Sequence, residues 1–270
     1  MAQKQLSDAE AAAIAERILS SRKYASLEMP RETVTALIAQ ESPLCKNAKE
    51  TEKAVREKLH QIIAPYLGDP DYAAEETRLA SLSGESALKD WALSMLNVHA
   101  SSRERLPYME AFYRLIFEKI GVPASVLDPA CAFHPFAFPW MGLAKETKYA
   151  AYDLHSPRVH LINSFFSVFG MEPLAEVRDI LLDPPAREAD AAFFFKEAHR
   201  FESRKRGCCR AFWQALKVPV IVVTLPAENL TGQHQMRNRQ RSLVERNIEG
   251  LGWALEETEM NGEMIFIIRK

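Results

Sequence analysis

Three carboxylates stand where three short apolar runs of the sequence end: Asp128, Asp153 and Asp179. If these runs are parallel strands, their carboxyl ends meet at the edge of the sheet where open α/β folds bind ligands. Asp153 lies 25 residues past Asp128, a spacing that suits an acid binding both hydroxyls of a ribose. Asp179 with Ile180 is suited to the edge and face of an adenine. The alternative is that these acids only cap helices in ordinary loops.

The stretch VLDPACAFHP (126–135) predicts a strand that runs into a nucleotide-binding loop. Such loops usually need glycine, because the backbone must adopt positive φ or approach the ligand closely. This stretch contains no glycine. Three interpretations are open: a cofactor loop that works without its glycine, a damaged cofactor loop, or a resemblance without meaning.

The spacing of cysteines and histidines argues against a metal site. Cys45, Cys131, Cys208 and Cys209 show no CxxC spacing, and the histidines form no HxxxH or HExxH pair. Reduced thiols and no bound metal are therefore expected. Cys208 and Cys209 fall in a basic helical stretch, where we interpret them as structural residues.

The elements that must position the three acids change character along the chain. Before residue 121 the apolar periodicity is helical, and SDAE (7–10) has the form of a capping box. Beyond it, short apolar runs alternate with helical stretches, which predicts a parallel sheet covered on both faces. Two strand-like runs flank Asn261 and Gly262, a strong hairpin signal.

These elements predict an α/β fold with an N-terminal helical domain over residues 1–105. A second domain over residues 106–270 is predicted to contain a Rossmann-like sheet that ends in an antiparallel C-terminal hairpin. A parallel sheet finished in this way is typical of methyltransferases that depend on S-adenosylmethionine (SAM), which makes SAM the predicted cofactor.

Composition places limits on the partners of the chain. Its 270 residues carry a net charge of −2, so any nucleic acid must be bound through local basic patches. The candidates are Arg22, Lys23, Arg200, Arg204, Lys205, Arg206, Arg237, Arg239 and Arg241. The alternative for each patch is an ordinary solvated face. No apolar run approaches the roughly 18 residues of a membrane span, and the sequence shows no signal peptide, so a cytoplasmic protein without a membrane partner is expected.

Several stretches in a fixed order resemble one protein family. They are SSRKY (20–24), VHASSRERLPYMEAFY (98–113), LDPACAFHPFAFPWMGL (127–143), YDLH (152–155), RDILLDPP (178–185), ADAAFFFK (189–196) and LP (225–226). Through them the chain resembles the aminoglycoside-resistance 16S rRNA (guanine-N7) methyltransferases of antibiotic-producing and resistant bacteria. Each stretch is modest alone, but their order and spacing over most of the chain are specific.

The resemblance implies a role for each matching residue. Arg105 would bind the methionine carboxylate of SAM, and Asp128 would anchor the first loop near its amino group. Asp153 would hold the ribose, and Lys196, at the end of the fourth strand, would face the target nucleotide. The other positions that the resemblance assigns to the cofactor are Ala130, Ala132, Leu154, Asp179 and Ile180.

The chain also departs from the pattern of the family. In the first loop, Ala132 replaces a glycine and His134 replaces an asparagine. If position 132 has positive φ, the alanine costs about 1 kcal/mol or more. After the fourth strand, EAHRFE (197–202) is more polar than the usual segment. After the fifth, AENLTGQ (227–233) carries Glu228 where a basic residue is usual. The last two changes fall on the target side of the site.

The implied chemistry needs no acid–base pair. Guanine N7 carries a lone pair and no proton, so its methylation requires proximity and orientation rather than a general base. The target base must be held, typically by stacking. Trp140 is the best candidate for this stacking. The other aromatic candidates, for which packing on the sheet is the alternative, are Phe133, Phe136 and Phe138.

The resemblance implies methylation of N7 of guanosine 1405 in 16S rRNA by a monomer that docks on the 30S subunit through its helical domain, giving aminoglycoside resistance. Two alternatives remain open. One is an enzyme of the same lineage with a different target nucleotide, suggested by Glu228 and EAHRFE. The other is a non-catalytic ribosome-binding protein whose altered loop binds SAM poorly.

Overall fold

The computed structural model describes residues 6–63, 69–227 and 235–270. The first part is a helical bundle of α1 (Asp8–Leu19), α2 (Arg22–Ala25), α3 (Arg31–Glu41) and α4 (Ala48–Ile63). The predicted capping box at the start of α1 is confirmed, because Ser7 and Glu10 each accept a hydrogen bond from the other's backbone amide. The bundle has its own apolar core, which includes Ile14, Val34, Leu37, Val55 and Leu59.

A second group of helices leads into the sheet. It consists of α5 (Tyr72–Ala80), α6 (Glu85–Leu96), α7 (Ala100–Arg103) and α8 (Met109–Ile120). Leu79, Trp91 and Phe112 of these helices are buried in the same core as the sheet residues Val126 and Tyr149. The segment predicted as one N-terminal domain therefore contributes to two cores. The boundary at residue 105 stays a prediction.

Within the described chain, seven strands form one sheet. They are β1 (Ser125–Pro129), β2 (Lys148–Asp153), β3 (Ala175–Val177), β4 (Ala191–Phe195), β5 (Val220–Pro226), β6 (Ala254–Met260) and β7 (Glu263–Arg269). Their order is β3-β2-β1-β4-β5-β7-β6. β7 runs antiparallel to its neighbours, β5 and β6, and the other described strand pairs are parallel. This confirms the predicted α/β sheet with an antiparallel C-terminal hairpin. At the hairpin turn φ is 47° at Asn261 and 77° at Gly262, as a tight two-residue turn requires.

Both faces of the sheet are covered. The remaining helices are α9 (Ser156–Phe169), α10 (Ala198–Arg204), α11 (Cys208–Ala215) and α12 (Gln235–Ile248). Successive residues of a strand point to opposite faces. Accordingly, Phe193 packs against Phe117 of α8, whereas Phe194 packs against Phe201 of α10 and Phe212 of α11. Among the helices in the described ranges, none combines the length and apolar character that crossing a bilayer requires.

The segment after β1 forms a short 3-10 helix, His134–Trp140. Phe133, Phe136 and Phe138 are at most 2% exposed, so they pack in the core rather than face a nucleotide. Trp140 is partly exposed at the margin of the same core. Its assignment to base stacking stays a prediction.

Candidate active site

The three predicted acids lie at the carboxyl ends of three adjacent strands. Asp128 is the penultimate residue of β1, Asp153 is the last residue of β2, and Asp179 follows the end of β3 by two residues. Their exposed fractions are 2%, 3% and 5%, respectively. A buried carboxylate is costly unless donors surround it, so the partners of each acid define what it can bind.

The loop after β1 has a left-handed backbone at two alanines, with φ of 55° at Ala130 and 47° at Ala132. The loop is fastened by the Ala132 amide, which donates to Asp153 Oδ2 at 3.0 Å, and by the Cys131 amide, which donates to the Tyr152 carbonyl at 3.0 Å. Position 132 therefore needs the conformation that favours glycine. The alanine adopts it at a cost of about 1 kcal/mol.

Asp128 is held by two side chains. The Tyr149 hydroxyl donates to Asp128 Oδ2 at 2.7 Å, and Nδ1 of His134 lies 2.8 Å from the same oxygen. Nε2 of His134 lies 2.8 Å from the Tyr113 hydroxyl. His134, which stands where the family that the sequence resembles has asparagine, therefore belongs to a buried chain of hydrogen bonds that ends at Asp128.

Asp153 accepts three hydrogen bonds from the protein. Oδ1 accepts from the His155 amide at 2.9 Å, and Oδ2 accepts from the Ala132 amide at 3.0 Å and from Arg158 Nη1 at 3.3 Å. A carboxylate oxygen has two lone pairs. Among the described contacts, Oδ1 therefore keeps the capacity for one further donor, such as one ribose hydroxyl. A second hydroxyl would replace the Arg158 contact, the longest of the three.

Arg158 and Asp69 are residues of this site that the sequence analysis missed. Arg158 is fully buried between Asp153 and Asp69, and its Nη2 lies 2.8 Å from Asp69 Oδ2. Asp69 also accepts from the Tyr72 hydroxyl at 2.5 Å and lies 2.9 Å from His99 Nε2. The contact between Arg158 and Asp153 has a signal in the sequence, because the arginine follows the strand-end acid by five residues. Nothing local points to Asp69, which is 89 residues from Arg158.

Arg105 faces a carboxylate of the protein itself. Its Nη2 lies 2.5 Å from Oε1 of Glu263, and its Nε lies 3.3 Å from Oε2. Lys196 lies 3.7 Å from Glu263 Oε2 and 2.7 Å from Glu104 Oε2. Burial alone would raise the pKa of Glu263, but the Arg105 and Lys196 cations hold this pKa below its usual range. The two predicted cations are thus brought together through Glu263. The sequence analysis missed Glu263, because it lies 158 residues from Arg105.

Asp179 is saturated with donors. Oδ1 accepts from Arg204 Nη1 at 3.1 Å and from the Leu181 amide at 3.2 Å, while Oδ2 accepts from Arg204 Nη2 at 2.5 Å and from the Thr33 hydroxyl at 2.9 Å. Two donors fill each oxygen, so an adenine amino group can bind Asp179 only if one of them leaves. Asp179, which was predicted to bind the cofactor, and Arg204, which was predicted to bind RNA, therefore bind each other in the structure.

The remaining residues predicted to bind cofactor lie around these acids. Ile180 is 4% exposed and belongs to the core on the α10–α12 face of the sheet. Ala130 and Leu154 are partly exposed beside Asp128 and Asp153 in sequence. All of these assignments, like those of Lys196 and Trp140, stay predictions.

The nine basic residues predicted to contact RNA fall into two groups. The exposed ones are Arg22, Lys23, Lys205, Arg206 and Arg239. Of these, Lys23 has its Nζ 3.0 Å from Nδ1 of His60. The other four basic residues pair with carboxylates of the protein. Arg237 and Arg241 of α12 form bidentate pairs, at 2.6–2.8 Å, with Glu259 and Glu257 of β6. Arg200 lies 3.4 Å from Glu197, and Arg204 is bound to Asp179. Glu228 lies outside the described residues.

Three potential metal ligands lie close together away from the strand ends. Side-chain atoms of Glu202, Cys208 and Cys209 come within 4.8 Å of one another. Glu202 accepts hydrogen bonds from the amides of Gly207 and Cys209, and each thiol donates to a backbone carbonyl of α10. These contacts join α10 to α11, which supports the structural role predicted for the two cysteines.

Comparison with known proteins gives results that agree with this geometry. A 16S rRNA (guanine(1405)-N(7))-methyltransferase of Frankia casuarinae is 30% identical over 267 residues, which are 95% of this chain and 93% of that protein. The structure of the 16S rRNA methylase RmtB is similar with a TM-score of 0.79 and 25% identity, covering 96% of this chain and 98% of that one.

The 16S rRNA methyltransferase RmtF, solved in complex with S-adenosyl-L-homocysteine, has a TM-score of 0.78 and 26% identity. It covers 98% of this chain and 100% of that one. Residues 20–267 match the family described as "Ribosomal RNA methyltransferase (FmrO)". Because this match spans nearly the whole chain, the chain belongs to the FmrO family of ribosomal RNA methyltransferases.

Proposed function

We propose that this chain transfers the methyl group of SAM to N7 of guanosine 1405 in the 16S rRNA of the 30S subunit. We place it in the cytoplasm, acting as a monomer and making the ribosome resistant to aminoglycosides. The observation that carries the proposal is the set of buried strand-end acids with Arg105, in a chain of this family. The named activity of the Frankia relative, which matches over nearly its whole length, supports the choice of nucleotide and atom.

The donors and acceptors at the strand ends fit SAM. Asp153 Oδ1 has the capacity for one ribose hydroxyl. Arg105 already binds a carboxylate, as it would bind that of the methionine group. Asp128 offers a buried carboxylate to the ammonium group, which favours a charged hydrogen bond. When bound, the cofactor supplies an electrophilic methyl group on a sulfonium.

The work of the protein in this reaction is positioning. Guanine N7 has a lone pair and no proton, so no residue must act as a general base. The protein has to hold N7 in line with the methyl group and exclude water. Lys196, held by Glu104 and Glu263, is proposed to contact the target nucleotide, and Trp140 to stack on it. The added methyl group blocks an acceptor on the Hoogsteen edge and leaves a positive charge, which disfavours cationic aminoglycosides.

Methyl transfer to purified 30S subunits tests the proposal. Labelled SAM is supplied, and the rRNA is then reduced and cleaved with aniline, which cuts at N7-methylguanosine. The expected result is incorporated label together with a single cut at nucleotide 1405. The Asp153→Asn variant is expected to lose the transfer, while Asp90→Asn, at an exposed acid of α6, keeps it.

Two other results correspond to the two alternatives. Label without a cut at 1405 would move the target to another atom or nucleotide. No label, with RmtB active on the same subunits, would favour a ribosome-binding protein. The strained loop at Ala132 and the saturated carboxylate of Asp179 are the observations that would then explain weak cofactor binding.

A further inference from the structure

Beside the cofactor loop, a chain of buried side chains allows the direction of every hydrogen bond to be assigned. The exposed fractions of Tyr113, Tyr149, Asp128 and His134 are 0%, 0%, 2% and 7%, respectively. Most polar atoms at such burial have a hydrogen-bond partner. The partners are the 2.8 Å contacts that His134 makes with Asp128 and Tyr113, and the 2.7 Å contact between Tyr149 and Asp128.

The chemistry of the partners fixes the tautomer of His134. A carboxylate only accepts hydrogen bonds, so Nδ1 of His134 carries the proton that lies between it and Asp128. When the ring carries this single proton, Nε2 is an acceptor. The Tyr113 hydroxyl donates to it, since burial raises the pKa of Tyr113 and keeps that hydroxyl protonated. The Tyr149 oxygen lies 3.1 Å from Nδ1 and shares its proton.

The same contacts divide the two oxygens of Asp128. The donors from His134 and Tyr149 both engage Oδ2. Two donors fill the lone pairs of that oxygen. Within the described residues, Oδ1 is therefore the oxygen left for a ligand, and rotation of the carboxylate is blocked by two hydrogen bonds on one side.

We propose that His134 is a positioning residue for the cofactor: its Nδ1–H fixes the Asp128 carboxylate so that Oδ1 faces the amino group of SAM, and Tyr113 fixes the tautomer of the ring. The inference rests on the proposed function, in which Asp128 lies near that amino group. It assigns a use to the histidine that replaces asparagine in the first loop.

Two substitutions at position 134 separate the two ring nitrogens. His134→Asn keeps an amide nitrogen where Nδ1 stands, and His134→Gln keeps a polar atom only where Nε2 stands. We expect His134→Asn to keep the KM for SAM within about threefold of wild type. We expect His134→Gln to raise it about tenfold or more, as loss of a hydrogen bond to a charged group does. The kcat on 30S subunits is measured for both variants, so that an effect on SAM binding is separated from an effect on the transfer step.

Tyr113→Phe tests the second half of the inference. In the otherwise wild-type protein this substitution is expected to raise the KM for SAM by about threefold, because the ring of His134 loses the donor that fixes its tautomer. In the His134→Asn background its effect is expected to be smaller, because the partner nitrogen is gone and only the contact of Tyr113 with Arg105 is then lost. Melting temperatures are measured for all variants, so that loss of folded protein is scored separately.

The outcomes decide clearly. Equal KM values for the Asn and Gln variants, or losses confined to kcat and melting temperature, would overturn the positioning role and leave His134 as a packing residue. Calorimetry of S-adenosylhomocysteine binding to the wild-type protein distinguishes failure of this inference from failure of the proposed function. If wild type binds and methylates while the two variants are alike, only this inference fails. If wild type neither binds nor methylates, both fail.

Discussion

At residue 132 the backbone holds a φ of 47° with an alanine side chain, although only glycine adopts this region without strain. We expect Ala132→Gly to raise the free energy of unfolding by up to about 1 kcal/mol, or the melting temperature by about 3 °C. Affinity for S-adenosylhomocysteine should rise with it, because the same amide contacts Asp153.

The same substitution in an ordinary helix serves as the control. Ala13 is exposed in the middle of α1, and Ala13→Gly is expected to lower the free energy of unfolding by about 1 kcal/mol. If thermal unfolding shows that glycine raises the stability at position 132 and lowers it at position 13, Ala132 is strained. A loss of stability at both positions would show that the loop relaxes around its alanine.

Glu197 has a titration that belongs to this single residue. Burial raises its pKa to about 7 from 4.5, despite the Arg200 cation nearby. Between these two values the folded protein keeps a proton that the unfolded chain has released. The free energy of unfolding therefore falls as pH rises through this window. Relative to wild type, Glu197→Gln should gain a few degrees of melting temperature from pH 4.5 to pH 7.

The exposed residue Glu188 provides the matched substitution for this titration. Glu188→Gln removes one carboxylate by the same substitution, and its melting temperature is measured over the same pH range. A constant difference in melting temperature between Glu197→Gln and wild type would mean that the Glu197 carboxyl group titrates as it does in the unfolded chain.

Among the elements, the C-terminal end of α10 is coupled to the end of β3 through Arg204 and Asp179. Because Arg204 and Thr33 fill Asp179, we expect Arg204→Gln to tighten binding of S-adenosylhomocysteine several-fold, as measured by calorimetry. Arg206→Gln, two residues away and exposed, should change it little. Weaker binding by Arg204→Gln would instead show that Arg204 holds Asp179 in the orientation that binds adenine.

The elements were the part of the structure that local sequence patterns predicted well. The alternation of strands and helices, the hairpin at Asn261 and Gly262 and the strand-end acids all depend on residues near one another in sequence. Contacts between distant segments carry no such pattern. Thr33 is 146 residues from Asp179, and Arg105 is 158 residues from Glu263. These are the partners that decide which oxygens remain for a ligand.

At the scale of the whole molecule, the N-terminal bundle is fastened directly to the segments that follow the carboxyl ends of the strands. The Ser156 amide at the start of α9 donates to the Leu27 carbonyl at 3.2 Å. The Thr33 hydroxyl donates to Asp179, and Arg200 donates to the Gln61 carbonyl at 3.3 Å. Helices proposed to dock on the ribosome therefore contact the segments proposed to hold the cofactor.

The charge distribution over the whole surface predicts which basic residues matter for the ribosome. Lys205 and Arg206 are exposed, whereas Arg237 and Arg241 are already neutralised by glutamates of β6. We expect Lys205→Gln with Arg206→Gln to weaken 30S binding and to reduce the slope of log K against log salt by about one per lost phosphate contact.

Arg237→Gln with Arg241→Gln removes the same number of charges and is the comparison for that pair. Its effect on 30S binding is expected to be smaller at every salt concentration. Equal losses for the two double variants would show that the glutamate pairs open when the subunit binds.

Glu263 acts on Arg105 as a tethered competitor for any incoming carboxylate. Because it is part of the same folded chain, its effective concentration at the guanidinium is set by the fold and not by supply. A ligand carboxylate that replaces it gains only the difference between two similar ion pairs. Ligands with and without that carboxylate should therefore differ in affinity less than an arginine contact by itself would imply. When product leaves, the returning glutamate spares Arg105 the cost of a buried, unpaired charge.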